Sequence, residues 1–190
     1  VVFAGLAYLV FYVWWKRSWF IKKIQQKYPE RKRIIYEVKN SFSSLAIFAS
    51  LALFIRWATE AGYTQIYKDI NEHSWGYFAF TVVAFILIHD TYFYWTHRLM
   101  HHPKLFKHVH KVHHMSHNPT PFAAFSFHPI EAVLEFGFVP ILIFLMPIHP
   151  IALAGVSLYM IVMNVMGHAG FEIFPKGATK HWLFGLHNSS

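Results

Sequence analysis

Five stretches of the chain are apolar at almost every position, and the polar residues collect between them. Val1 to Trp15 is apolar and aromatic. Phe42 to Ala58 is interrupted only by Arg56, whose long side chain can snorkel to the headgroups from the end of a span. Gly76 to Trp95 carries no charge until Asp90. Leu134 to Met146 and Ile151 to Met166 are shorter, and Pro147-Ile148-His149-Pro150 separates them where a helix interior cannot continue. The longer runs approach the roughly 20 residues that cross a bilayer, so the pattern predicts transmembrane helices, with the last two forming a hairpin. The expected fold class is an all-α integral membrane protein of about four to five membrane-embedded helices. Val1 reads as the inside of a first span, and the chain as a piece of a longer protein.

Charge sets the expected orientation. Lys16 to Asn40 holds Lys16, Arg17, Lys22, Lys23, Lys27, Arg31, Lys32, Arg33 and Lys39 against Glu30 and Glu37. Thr59 to Trp75 is mildly acidic, with Glu60, Asp69 and Glu72 against Lys68. Basic loops stay on the cytoplasmic side, which places Lys16 to Asn40 inside and Thr59 to Trp75 outside. The third span then delivers His97 to the cytoplasmic face, and the return of the hairpin brings His168 to the same face. Mean hydropathy of +0.32 and 55% hydrophobic residues agree with a membrane protein. The net charge of +8 does not point to nucleic acid, because the excess lies between apolar spans and accompanies no recognition motif. With no cysteine, disulfides and thiolate metal sites are excluded.

Chemistry enters where the third span ends. His97-Arg98-Leu99-Met100-His101 and His110-Lys111-Val112-His113-His114 are two histidine clusters about a dozen residues apart. Helix residues three and four apart share a face, so His97 and His101 point together, as do His110, His113 and His114. Five imidazoles converging from two segments exceed the needs of one four-coordinate zinc and suit more than one ion. Leu99, Met100, Leu105, Phe106, Val109, Val112 and Met115 fill the positions between, as a solvated His tract would not. The H-E-x-x-H pattern of a zinc hydrolase is absent, and neither cluster contains a Glu to act as general base. A metal transporter would place its ligands near the bilayer midplane, whereas these begin just beyond a span. All-nitrogen ligation alone suits iron, zinc, copper or nickel.

Four patterns in order resemble a known family: Asp90-x-x-x-Tyr94-Trp95-x-His97-Arg98-x-x-His101-His102, then His110-Lys111-x-His113-His114, then Phe127-His128-Pro129-x-Glu131, then His168-Ala169-Gly170-Phe171-Glu172. They look like the fatty acid hydroxylase / sterol desaturase superfamily over about Asp90 to Ser190. The resemblance implies an integral-membrane oxidoreductase with two irons, which uses molecular oxygen and two electrons to hydroxylate or desaturate a lipid. It divides the chain into membrane helices with a basic loop, 1–75, and a catalytic region, 76–190. A last His cluster, expected after His187-Asn188-Ser189-Ser190, would lie beyond the sequence, so tight binding of two ions is expected only when that cluster is present.

By the same resemblance His97, His101, His110, His113, His114 and His168 match ligand positions. Asp90 lies on the face of His97 and His101 and is expected to orient a ligand imidazole. His128 and Glu131 share a face and are expected to shape the site. Asn164, four residues before His168, reads either as a water-mediated ligand or as a helix-packing residue. His102, His108, His117, His181 and His187 are not assigned to the metals, and His73 and His149 belong to the far side. Phe93, Phe122, Phe125 and Phe127 are candidates to line a lateral path for the lipid. Arg98, Lys104, Lys107 and Lys111 form a basic surface that fits anionic lipid or an acidic electron carrier, such as a b-type cytochrome or ferredoxin. The lipid, the choice of hydroxylation or desaturation, and the membrane (bacterial inner membrane or endoplasmic reticulum) stay open.

The charge asymmetry makes a direct prediction. In this cysteine-free chain, single cysteines at Lys27 and Lys107 should resist an impermeant thiol reagent in intact cells, while one at Asn71 should label. Labelling at Lys107 but not at Asn71 would reverse the topology.

Overall fold

Several helices begin where the chain provides a side-chain cap, in most cases followed by proline. In the computed structural model, which describes residues 1–173, His102 caps α4 (Pro103–Val109) and His128 caps α6 (Pro129–Leu145), each followed by proline at the first helical position. Pro150 opens α7 (Pro150–Gly167), and the ring of His149 accepts from the Ile151 N–H at 3.2 Å. Ser74 starts α3 (Trp75–Met100) by accepting from the Tyr77 N–H at 3.2 Å. The remaining α-helices are α1 (Val2–Tyr8), which runs on as a π-helix over Leu9–Trp14, α2 (Arg31–Glu60) and the single turn α5 (Lys111–His114). Among the described residues no strand forms, and β pairing is limited to two isolated bridges, Lys23 with Phe171 and Ile66 with Ile148.

The protein is an all-α membrane protein. Among the described residues, α2, α3 and α7 are long and apolar enough to cross a bilayer, and Val2–Trp14 is a shorter apolar helix. Helix α6, 17 residues with Pro140 inside, completes the expected hairpin with α7. One boundary differs from expectation. The second span begins at Arg31 and not at Phe42, so part of the basic segment is helical. Tertiary contact explains this: Glu37 and Ser41, one turn apart, are buried. Apolar length alone could not reveal that extension. His181 and His187 lie outside the described residues.

The chain divides into two compact units, each drawing on distant stretches of sequence. One unit contains Val1–Phe42, Val112–Phe127 and the described residues from Ile161 on. Its core joins Phe11 and Tyr12 to Ala169 and Phe171, with Trp19 and Tyr28 packed around them. Polar contacts hold its first two stretches together. The Glu37 carboxylate accepts from the Thr120 hydroxyl at 2.5 Å and from its N–H at 3.1 Å, and Ser41 donates to the Phe122 carbonyl at 2.7 Å.

The other unit contains Ser43–Lys111 and His128–Met160. Phe85 on α3 stacks on Phe138 of α6 at 5.3 Å, and Leu142, Ile148, Ala152 and Val156 complete the core. The Tyr92 hydroxyl donates to the Leu134 carbonyl at 2.8 Å, pinning α3 to α6. Within a bilayer such packing and hydrogen bonding hold helices together, because lipid tails are as apolar as the side chains. Leu53 and Leu87, 69% and 62% exposed, face outward as lipid-covered residues would.

Thr120 supplies two of the donors to a buried carboxylate, so replacing its hydroxyl should be costly. Thr120→Val should destabilise the protein by about 1–3 kcal/mol, the penalty for a buried acceptor that loses a partner. Denaturant unfolding in a fixed detergent measures it, and an unchanged midpoint would mean that this contact contributes nothing.

Candidate metal centre

Helix α3 carries His97 in its last turn and ends on His101, whose backbone N–H bonds the His97 carbonyl. Helix α4 then reverses the chain within seven residues and ends at His110. The fold thus closes a triangle of imidazoles, with each pair of ring centroids 4.7 Å apart. The Nε2 atoms of His97 and His101 are 3.1 Å apart, and one nitrogen from each of the three rings lies within 4.8 Å of the others. An ion bound by imidazole at roughly 2.0–2.1 Å needs about this spacing. The donor set therefore fits a borderline transition metal such as iron or zinc.

Glu131 sits behind the triangle. Its Oε1 is 2.5 Å from His110 Nδ1, and both side chains are buried. Oε2 accepts from the His128 N–H at 3.4 Å, while the His128 ring accepts from the Ile130 N–H at 3.3 Å. This reciprocal cap at the start of α6 fixes the carboxylate and so orients the His110 ring. A carboxylate oxygen and an unprotonated ring nitrogen both only accept, so at 2.5 Å one proton lies between them. When Nδ1 holds that proton, Nε2 carries the ring's lone pair. Burial also holds His110 below the ordinary imidazole value, and it lowers His101, with nearby His110 adding to the effect. Both are thereby biased to the neutral form that binds metal.

A second histidine pair lies in the other unit. His168, just beyond α7, donates from Nδ1 to the Asn164 carbonyl at 2.8 Å, because a carbonyl can only accept. Its Nε2 then faces His113 Nε2 at 3.4 Å. Burial lowers the His168 value, and the Asn164 bond opposes that shift. The ring of His114 is edge-on to His113 with centroids 5.7 Å apart, and its side chain is exposed. His113 also packs on Phe127, ring centroids 5.3 Å apart.

The remaining candidates separate clearly. Asp90 is exposed and bonds the ring of its neighbour His89 at 3.2 Å, not a histidine of the triangle. It shares a helical face with His97, but seven residues of rise are about 10 Å, too far for contact. The orienting position beside the triangle is held by Glu131. His128 acts as a helix cap, as does His102, which accepts weakly from the Lys104 N–H at 3.4 Å. The Asn164 amide donates to the Ala124 carbonyl at 3.0 Å, the packing alternative for that residue. His108 and His117 are exposed, while His149 is buried against the Lys68 carbonyl and His73 stacks on Tyr77. Phe93 stacks on His97 at 5.2 Å; Phe122 packs on Tyr8, and Phe125 is buried. An apolar cavity of about 300 Å³ lies at the far end of α3, lined by Phe78, Val82 and Ile86, away from the triangle.

Residues 82–189 match the family model described as fatty acid hydroxylase. The chain is 30% identical over 159 residues to a Delta(7)-sterol 5(6)-desaturase of Gibberella zeae, covering 84% of the chain and 48% of that protein. It is 31% identical over 140 residues to human lathosterol oxidase, covering 72% of the chain and 46% of that protein. A Delta(7)-sterol 5(6)-desaturase of Leptosphaeria maculans is 32% identical over 173 residues, covering 89% of the chain and 46% of the relative. The chain thus spans less than half the length of each of these relatives. No solved structure matches it.

The geometry ranks two carboxylates. Glu131→Gln should weaken metal binding by about 10–100-fold through loss of the anionic acceptor behind His110, whereas Asp90→Asn should change it little. Competition with a chelator measures both. The reverse order would return the orienting role to Asp90.

Proposed function

Because the chain belongs to the fatty acid hydroxylase family, we propose that it forms the metal-binding part of a membrane oxidoreductase that hydroxylates or desaturates a lipid at a two-iron centre. The observation that carries this reading is the pair of histidine groups. His97, His101 and His110 form one group, in which Glu131 braces His110; His113 and His168 form the other, in which the Asn164 carbonyl braces His168. Each is a partial ligand set, and His114 follows the second cluster directly. Two irons, when bound, supply the activation of molecular oxygen that an unactivated C–H bond requires, with two electrons drawn from an external carrier. The residues of this chain hold the ions, keep the imidazoles neutral, and set their orientation through Glu131 and Asn164.

Relatives named for sterol desaturation and lathosterol oxidation favour a sterol-like lipid and desaturation as the reaction. Lipid-facing helices support access from the bilayer, with Phe93 and Phe127 packed beside candidate ligands. Exposed Arg98, Lys104, Lys107 and Lys111 follow the same clusters and suit docking of an acidic electron carrier, a b-type cytochrome or ferredoxin. We place this face in the cytoplasm, on charge asymmetry. A zinc hydrolase is disfavoured because Glu131, already engaged by His110 and the His128 N–H, is poorly placed to act as a general base.

Lipid extracts from cells expressing the active protein, compared by mass spectrometry with matched cells lacking it, test the reading. A product differing from its precursor by one oxygen atom or by two hydrogens should appear. His113→Ala should abolish that product and lower bound iron, whereas His73→Ala should change neither. Full iron and full product in His113→Ala would place the centre elsewhere.

A further inference from the structure

The basic segment after α1 reads from sequence as a cytoplasmic loop, yet one of its lysines is 1% exposed. Lys23 donates through Nζ to Asn118 Oδ1 at 3.0 Å and lies 5.3–5.7 Å from the ring centroids of Phe171, Tyr12 and Tyr28. An ammonium held this far from water needs such hydrogen-bonding and aromatic partners. What it touches is significant: Asn118 follows the second histidine cluster, and Phe171 follows His168. Tyr12 bridges the same two stretches. Its single hydroxyl proton lies between the Pro119 carbonyl at 2.8 Å and the Ala169 carbonyl at 2.9 Å.

The backbone closes the arrangement. Lys23 pairs with Phe171 as an antiparallel bridge, the Ile24 N–H bonds the Gly170 carbonyl at 3.1 Å, and the Glu172 N–H bonds the Lys22 carbonyl at 2.7 Å. Gly170, at φ +75°, packs directly against the Pro119 backbone. A Cβ there would meet the Pro119 oxygen at 2.8 Å and the Tyr12 hydroxyl at 3.0 Å. No side chain fits without forcing the stretches apart.

We infer that Tyr12 and Lys23 are positioning residues that clamp the stretch after His113 to the stretch after His168, and so set the separation of that histidine pair. The inference rests on the proposed reading of His113 and His168 as metal ligands, but its test does not use metal. The chain has no cysteine, so His113→Cys with His168→Cys introduces a unique thiol pair. A short phenylene bismaleimide, applied to the full chain in lipid without added metal, reports how often the two positions approach. Tyr12→Phe, which keeps the ring and its packing, should slow crosslinking about tenfold through loss of the shared hydrogen bonds. Lys23→Met should do the same. The control pair, His97→Cys with His101→Cys, should be unaffected by either change.

Unchanged crosslinking at 113 and 168 in Tyr12→Phe would overturn the inference. So would equal slowing of both pairs, because that would show general loosening and not a clamp. Absence of iron from the unaltered protein would instead count against the proposed function, and crosslinking would still decide the clamp.

Discussion

An imidazole binds metal through one nitrogen, and a hydrogen bond at the other fixes both the tautomer and the angle of the ring. That constraint organises both histidine groups. Glu131 shares the proton of His110 at Nδ1, and the Asn164 carbonyl takes the Nδ1 proton of His168. His168 Nε2 then faces His113 Nε2 at 3.4 Å, and neither His110 nor His168 can rotate without breaking its bond at Nδ1. Glu131 is in turn held by the N–H of His128, so the cap that starts α6 also sets the angle of His110. A feature of secondary structure is thereby coupled to the chemistry of the site.

The membrane supplies the second constraint. Helices in lipid gain little from burying apolar surface, so polar contacts and close packing must determine how they associate. Within one unit Tyr92 pins α3 to α6. Within the other, Glu37, Ser41, Tyr12 and Lys23 reach the stretch that follows the second histidine cluster. Several of these polar groups come from the N-terminal region, which lies outside the family match at 82–189. A part of the chain outside that match thus bears directly on a candidate ligand pair.

What the sequence shows plainly is whatever depends on neighbours along the chain. Apolar length identifies the spans, Pro147 and Pro150 mark the hairpin, and four-residue spacing brings His97 and His101 together. Phase fails when distance along the helix matters, which is why Asp90 shares a face with His97 but not a contact. Contacts between distant stretches leave no local trace. Glu131 reaches His110 across 21 residues, and its role was legible only as a shared face with His128. Tyr12 is one aromatic residue in an aromatic run, and Lys23 is one cation among many. Only the fold separates them from their neighbours.

The central claim is that these histidines hold two irons. Metal quantification and Mössbauer spectroscopy of the full-length protein, purified from cells supplied with iron and zinc alike, test it most directly. The account predicts two irons per chain with the spectrum of a magnetically coupled pair. A single zinc, or one isolated iron, would contradict it.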